Sequence, residues 1–326
     1  RARLDPRVIY EETILRDGLD GVKVLYAPQL KFTTPRIVSQ IAEFQRRGGV
    51  LIADKELLPV LKADVTVPLM AFEAPPESDH AEDVDRMESE RDPQARTRKA
   101  TVRAKTYMQE SADFIRRELA VRGYVAPADS SSADIVVYGR RFGDVPYLFA
   151  INDRRTFGDY VGQWGRVMEK GEPNEGWVQV QDPSGAIGAV YELSKGGELP
   201  FARRDSRIRV PVRYETNDGR LFVFLKSKIA KVEADVQDAV RRGGKLSVAM
   251  TVRDANGRPV AALLPVDIRL YDAAGREIDG VGYSVAENGV AKVEFTTNVD
   301  DADGDYRLVC ADRASGITIS KTIRQK

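Results

Sequence analysis

The stretch "FGDYVGQWGRVMEKGEPNEGW" (157–177) carries the residue types that a sugar-binding surface needs. Tyr160, Trp164 and Trp177 could stack on pyranose rings, while Asp159, Gln163 and Asn174 could hydrogen-bond hydroxyls. Ligand sites pair apolar faces with a few placed polar groups in this way. The same tryptophans also serve as core or inter-domain packing, the commoner use of large aromatics.

A second candidate is "EFQRRGGVLIADKELL" (43–58), where an apolar run stops at the acidic Asp54. In doubly wound folds, ligands bind at the carboxyl ends of such strands. Nucleophilic chemistry there would need a cysteine on a tight elbow and a histidine to activate it. The chain has one cysteine, Cys310, far from this stretch in sequence, and one histidine, His80, which has no partner thiol. Those counts also exclude the usual Cys/His zinc sites, which take four ligands or three plus water. A Ser-His-Asp triad would have to recruit His80 from "PPESDHAEDVDRMESERDPQ", a polar stretch without an apolar face to hold it. Paired carboxylates of the glycosidase kind need a fixed separation, and pairs such as Glu11-Glu12 sit in no motif that sets one. "NVDDADGD" (298–305) invites a calcium reading, but its glycine is out of register for a calcium loop, and an Asp/Gly turn explains the same letters. Cys310 lies in a β run and reads as a small buried residue. No catalytic residue, metal ligand or cofactor site is therefore expected.

The composition of the 326 residues limits the rest. Hydrophobic residues make up 42% and charged residues 31%, enough apolar material for two or three domains with real cores. Fifty basic residues balance fifty acidic ones, which argues against a nucleic-acid partner, since such affinity comes from neutralising phosphates. No apolar stretch is long enough for a membrane-spanning helix. The chain opens Arg-Ala-Arg-Leu-Asp, without a start methionine or a signal-like apolar region, and reads as a fragment or processed chain.

The elements that must position these residues change character along the chain. Residues 1–75 read as α/β. "VKVLYA" (22–27) suits a buried parallel strand; Thr34-Pro35 is an N-cap followed by a first-turn proline; Ile37, Val38, Ile41, Ala42 and Phe44 form one helical face. Arg46 and Arg47 suit the helix C-terminus, and Gly48 or Gly49 caps it before the strand Val50–Ala53. Arg7–Gly21 reads as a further helix ending at glycine. Residues 76–125 combine a charged linker with a helix over Tyr107–Gly123 that presents Phe114, Ile115 and Leu119. Residues 126–235 switch to period two, with a hairpin turn near Gly143-Asp144 and short strands in "GWVQVQD", "AIGAVYEL", "IRVPVRYET" and "LFVFLKS". "KIAKVEADVQDAVRRGGK" (228–245) reads as a strand followed by a short helical or extended linker. Residues 236–326 hold six or seven short strands with "ANG", "AAG" and "ENG" turns, the profile of an immunoglobulin-like sandwich without its cysteine pair. The expected fold class is α/β plus all-β: a partial doubly wound unit, an antiparallel β-sandwich and an immunoglobulin-like sandwich.

"LDGVKVLYAPQLKFTTPRIVSQIAEFQRRGGVLIAD" (19–54), through Val22–Pro28 and Val38–Asp54, resembles the trimerisation domain of bacterial β-galactosidase-like glycoside hydrolases. That domain has a class I glutamine amidotransferase-like fold without amidotransferase chemistry. "DIVVYGRRFGDVPYLFAIND", "GAVYELSKGGELP" and "DGRLFVFLKSKIAKVEA" resemble the small β domain that often follows it. "DANGRPVAALLPVDIRLYDAAGREI" is similar to bacterial immunoglobulin-like or macroglobulin-like modules of large secreted proteins. The resemblance implies a non-catalytic accessory or oligomerisation region of a multidomain carbohydrate-active protein. In that family the catalytic carboxylates lie in an upstream TIM barrel, and no run of eight βα units is present here. Its implied partners are an upstream catalytic domain, further copies of the chain and a carbohydrate, in a secreted, periplasmic or surface setting. The alternative is a glycan-binding or adhesion module that uses the aromatic stretch, and an autonomous hydrolase is a third reading.

Overall fold

The hydroxyl of Thr34 accepts a hydrogen bond from Ile37 N at 3.4 Å, and Pro35 takes the first helical position, where its missing N–H leaves nothing unpaired. The helix these residues start belongs to the first of two units in the computed structural model, which describes residues 3–4, 6–67, 108–161, 167–278 and 282–326. One unit comprises Arg1–Ala126 with Arg155–Glu172, the other Pro127–Arg154 with Pro173–Lys326. The charged stretch 76–106, with His80, lies outside the described residues, as do Gln163 and Trp164.

In the first unit, helix α1 (Glu11–Asp17) carries Glu11 and Glu12 in its first turn and Arg16 in its last, and ends at Gly18. Strand β1 (Val24–Ala27) is followed by α2 (Pro35–Arg46) and β2 (Val50–Ala53), and a two-residue strand β3 (Val65–Thr66) completes a parallel sheet in the order β1-β2-β3. Val24 pairs with Val50 and Ala27 with Ala53, so α2 is the crossover of a βαβ unit. Ile37, Ile41 and Phe44 turn the buried face of α2 onto Leu25 and Leu51. On the other side, Ile115 and Leu119 of α3 (108–120) pack with Ile52, Val65 and Val67.

The two glycines after α2 do different work. Gly48 adopts φ +90°, the left-handed conformation that closes the helix, whereas a Cβ on Gly49 would overlap the Phe44 ring. Gly49→Ala is expected to cost about 1–3 kcal/mol through overpacking against Phe44. Gly48→Ala, with open space around it, should cost only about 1 kcal/mol of backbone strain. Urea denaturation of both variants tests the order.

The second unit starts with β4 (Ala128–Ser130), β5 (Ile135–Phe142) and β6 (Val145–Asn152), and β5 and β6 turn at Gly143-Asp144 as the sequence predicts. The chain then forms the hairpin β7 (Arg155–Val161) and β8 (Val167–Gly171), which counts with the first unit. Next come β9 (Asn174–Gln181), β10 (Ala189–Glu192), β11 (Ala202–Arg204), β12 (Arg207–Tyr214) and β13 (Gly219–Leu225). Two four-stranded sheets result, β10-β13-β6-β5 and β11-β12-β9-β4. Val137, Leu148, Phe222 and Phe224 from the first meet Val178, Val180, Ile208 and Val210 from the second in one core.

The remaining strands are β14 (Ile229–Val236), β15 (Ala239–Val240), β16 (Lys245–Asp254), β17 (Leu263–Tyr271), β18 (Tyr283–Glu287), β19 (Val290–Thr296), β20 (Gly304–Asp312) and β21 (Thr318–Gln325). They form one eight-stranded sheet in the order β14-β16-β19-β18-β17-β20-β21-β15. β14 and β15 act as one split opening strand, antiparallel to β16 at one end and parallel to β21 at the other. The stretch 228–245, read as strand plus linker, thus contributes strands to both ends of the sheet. β17 alternates strictly, sending Leu264, Val266, Ile268 and Leu270 inward. Asn288-Gly289, with φ of 51° and 77°, supplies the two-residue turn between β18 and β19. Tyr306 Oη donates to Ala302 O at 3.0 Å, bonding back to the loop that precedes its own strand as the tyrosine corner of immunoglobulin sandwiches does.

The middle sheet is covered on its second face too over β10, β13 and the start of β6, while Tyr138, Phe149 and Ile151 stay exposed. Val223, Leu225, Ala189, Tyr191, Val145 and Tyr147 point away from the first core and join a second one with Leu246, Val266, Leu264 and Leu308 of the last sheet. The two β modules therefore share a continuous interior. Polar contacts hold the seam: Tyr147 Oη accepts from Leu263 N at 2.7 Å and donates to Leu263 O at 2.9 Å, Ile229 N donates to Tyr191 Oη at 2.9 Å, and Gly197 N donates to Ala314 O at 2.8 Å.

Candidate functional site

The carboxyl end of β2 holds Asp54, buried at 3% exposure. Its Oδ2 accepts from Gln29 N at 3.0 Å and its Oδ1 from Glu56 N at 2.9 Å. Lys31 pairs with Glu56 at 2.7 Å, and Leu58 N donates to Leu30 O at 2.8 Å. Asp54 thus ties the loops after β1 and β2 together. Burial, and then the negative charge of Asp54, raise the pKa of the nearby Tyr26 phenol and oppose its ionisation. At this end of the sheet the acidic residue braces backbone.

Other buried carboxylates do the same. Asp182 Oδ1 accepts from Ala186 N at 3.0 Å and its Oδ2 from Ile187 N at 3.3 Å, with Arg203 paired to it. Burial raises the Asp182 carboxyl, and the bonds from Arg203 and the two amides outweigh that, leaving it below the usual carboxylate range. Glu192 accepts from Ser194 N at 2.7 Å and Lys195 N at 2.9 Å. Asp218 receives Lys195 Nζ at 3.1 Å and Arg220 Nε at 3.2 Å. Close by, the fully buried Tyr214 hydroxyl is pushed well above the ordinary phenol range, first by burial. In "NVDDADGD", Asp301 accepts from Asn298 N at 2.7 Å, while Asp303 and Asp305 pair with Arg242 at 2.9 Å and Arg324 at 3.5 Å.

Asp312 differs in sign. It is wholly buried, and desolvation raises its carboxyl despite bonds from Ser315 and Ala314. A carboxylate whose folded pKa lies above its unfolded value opposes folding while charged, and that cost disappears as pH falls through the folded pKa toward 3.8. Urea titrations of Asp312→Asn and the parent at neutral pH and near pH 4 should show the parent gaining on the variant in acid. An unchanged difference would remove Asp312 from the acid response.

The outward face of the sheet β11-β12-β9-β4 gathers a different set. Strand period two sends Val178, Val180, Ile208 and Val210 to the core, so Glu175, Trp177, Gln179, Arg207, Arg209, Pro211 and Arg213 share the other face. Trp177 lies directly opposite Pro211, Gln179 opposite Arg209 and Glu175 opposite Arg213. The Arg209 guanidinium sits over the half-buried indole at 4.0 Å from the ring centroid, and its Nε and Nη2 donate to Gln179 Oε1 at 3.4 and 3.2 Å. Pro211 is tolerated on this inner strand because β11 pairs only with Arg207–Arg209, leaving the later part of β12 free on that side.

Solved structures are similar to this chain only distantly. A rhamnosidase from Novosphingobium sp. PP1Y is 9% identical over 90% of this chain and 29% of its own, with a TM-score of 0.35. The Yersinia pseudotuberculosis adhesin InvE is 11% identical over 48% of this chain and 55% of its own, with a TM-score of 0.26. A family 123 glycoside hydrolase from Clostridium perfringens is 9% identical over 29% of this chain and 26% of its own, at 0.17. The chain spans about half of the adhesin and under a third of the rhamnosidase. No family model matches the chain, and no curated protein does. The likeness is a vague glycoside-hydrolase-like one, and it fixes neither a family nor an activity.

Of the sequence candidates, Trp177 and Asn174 lie on β9 but three residues apart, so they face opposite sides of the sheet. Asn174 points inward at 8% exposure, with Oδ1 bonded to Glu175 N and Nδ2 without a partner. The two cannot line one sugar site together. Asp159 and Tyr160 fall in β7, but their side chains lie outside the described residues, as do Gln163 and Trp164. The arginines of β12 were the signal that sequence reasoning passed over: "RIRVPVRY" places Arg207, Arg209 and Arg213 on one face at period two. Among the described residues no helix is long and apolar enough to cross a membrane.

Proposed function

We propose that this chain is a non-catalytic accessory region of a multidomain carbohydrate-active protein. In this reading residues 1–75 are an inert amidotransferase-like unit, 76–125 a charged linker and helix, 126–235 a β-sandwich and 236–326 an immunoglobulin-like module. They brace an upstream catalytic domain or assemble copies of the parent protein, in a secreted, periplasmic or surface setting. The observation that carries the proposal is the seam at Tyr147, Tyr191 and Gly197, where hydrogen bonds join two β modules over a shared core. The roles of Asp54, Asp182 and Glu192 support it, since each accepts backbone N–H bonds that fix a loop. The full chain should release no nitrophenol from aryl glycosides, and deleting it from the parent protein should lower assembly or melting temperature more than turnover per folded site. Turnover by the chain alone would overturn the proposal. A glycan-binding or adhesion module is the second reading, favoured by the Trp177–Arg209 stack.

A further inference from the structure

We infer that the outward face of the sheet β11-β12-β9-β4 is a binding platform for a carboxylate-bearing glycan, of the uronic-acid type, with the exposed Pro211 beside Trp177 as its apolar step and Arg207, Arg209 and Arg213 as its anion contacts. The inference deepens the carbohydrate reading above by naming a ligand class.

The pattern starts in the sequence: on β12, alternate residues are Arg207, Arg209, Pro211 and Arg213, spaced about 7 Å apart along one face. Arg204 of β11 pairs directly with Arg207 and adds a fourth guanidinium. The carboxylates sharing this face are Glu175, opposite Arg213, and Asp129 of β4, opposite Gln179. Among the described residues, four cations against two anions give the face a net positive charge in a chain whose formal charge is zero, so the excess is local.

The groups are also chemically ready. Gln179 holds the Arg209 Nε and Nη2 and fixes the guanidinium over the indole, leaving its Nη1 hydrogens for an outside acceptor. Arg213 meets Glu175 only at 3.4 Å, with side chains 81% and 75% exposed, a pair weak enough for a ligand carboxylate to displace. A guanidinium fork matches a carboxylate in two parallel hydrogen bonds, which a neutral sugar cannot offer. Arg209 already covers one face of the half-buried indole, so the apolar step open to the C–H face of a pyranose ring is the exposed Pro211 beside Trp177. An acidic peptide would satisfy the arginines but would leave that step without a flat partner.

The test uses the full chain with polygalacturonate, dextran and poly-L-glutamate as probes in titration calorimetry. Polygalacturonate should bind, more weakly as ionic strength rises from about 0.05 to about 0.5 M. Arg207→Gln/Arg213→Gln should lose at least about tenfold in affinity, with an unchanged circular dichroism spectrum and melting temperature. Trp177→Leu, judged only if it retains that spectrum, should lose a comparable amount. Absence of polygalacturonate binding, or a double variant that binds as the parent does, overturns the inference. Equal binding of poly-L-glutamate overturns it in favour of an acidic-peptide surface. Equal, arginine-independent binding of dextran overturns the acidic class while leaving the accessory reading intact, which falls only on aryl-glycoside turnover.

Discussion

Tyr147→Phe is expected to lower stability by about 2–4 kcal/mol and to divide the unfolding of the two β modules into two steps. The loss follows from the geometry: one hydroxyl serves both Leu263 N and Leu263 O across the seam, and its removal leaves a donor and an acceptor unpaired, at about 1–3 kcal/mol each. Tyr138→Phe is the control, because Tyr138 is 39% exposed and its change should stay within about 0.5 kcal/mol. The same site gives an alkaline signature. Burial pushes the Tyr147 phenol up to about 12 from 10.0, and the bond its oxygen accepts from Leu263 N offsets only part of that rise. Because the folded pKa is the higher one, the neutral phenol's contribution is complete below pH 10 and is lost as pH rises toward 12. The parent should therefore show an alkaline loss between those values that Tyr147→Phe lacks. A single, unshifted unfolding transition in the variant would mean that the seam holds without this residue.

Asp54→Ala should have the second large effect, about 2–4 kcal/mol, since it leaves the Gln29 and Glu56 amides without their acceptor beside a buried strand end. Hydrogen exchange locates the damage: the amides of Gln29, Glu56 and Leu58 should lose protection while those of β17 keep theirs. Loss confined to other segments would refute the brace. Asp54→Asn, which retains one carbonyl acceptor, should fall between the two.

Much of the first unit was legible because its signals are local. Thr34, Pro35, the spacing of Ile37, Ile41 and Phe44, and the break at Gly48 each act within a few residues, and the helix and both flanking strands form where they point. Hairpin turns at Gly143-Asp144 and Asn288-Gly289 are equally local, since the backbone conformation itself demands those residues. The short strands β3, β4 and β11 are not legible in the sequence, because two or three residues carry no period, and the hairpin β7–β8 shifts register between Phe157 and Val161, which breaks its alternation.

What the sequence determined by itself is the α/β start, the run of turn-bounded strands and the shortage of cysteine and histidine for nucleophilic or zinc chemistry. Only the tertiary structure decided which side of each strand matters. "GAVYEL" and "LFVFLKS" are apolar at consecutive positions because their strands lie in a middle layer with a core on either face, a fact about neighbours more than 20 residues away. Tertiary structure likewise separated Trp177 from Asn174, set Arg209 on the indole, and turned Asp54 from the edge of an apparent active site into a brace for two loops. Pairing partners and burial are long-range properties, and no window of sequence contains them.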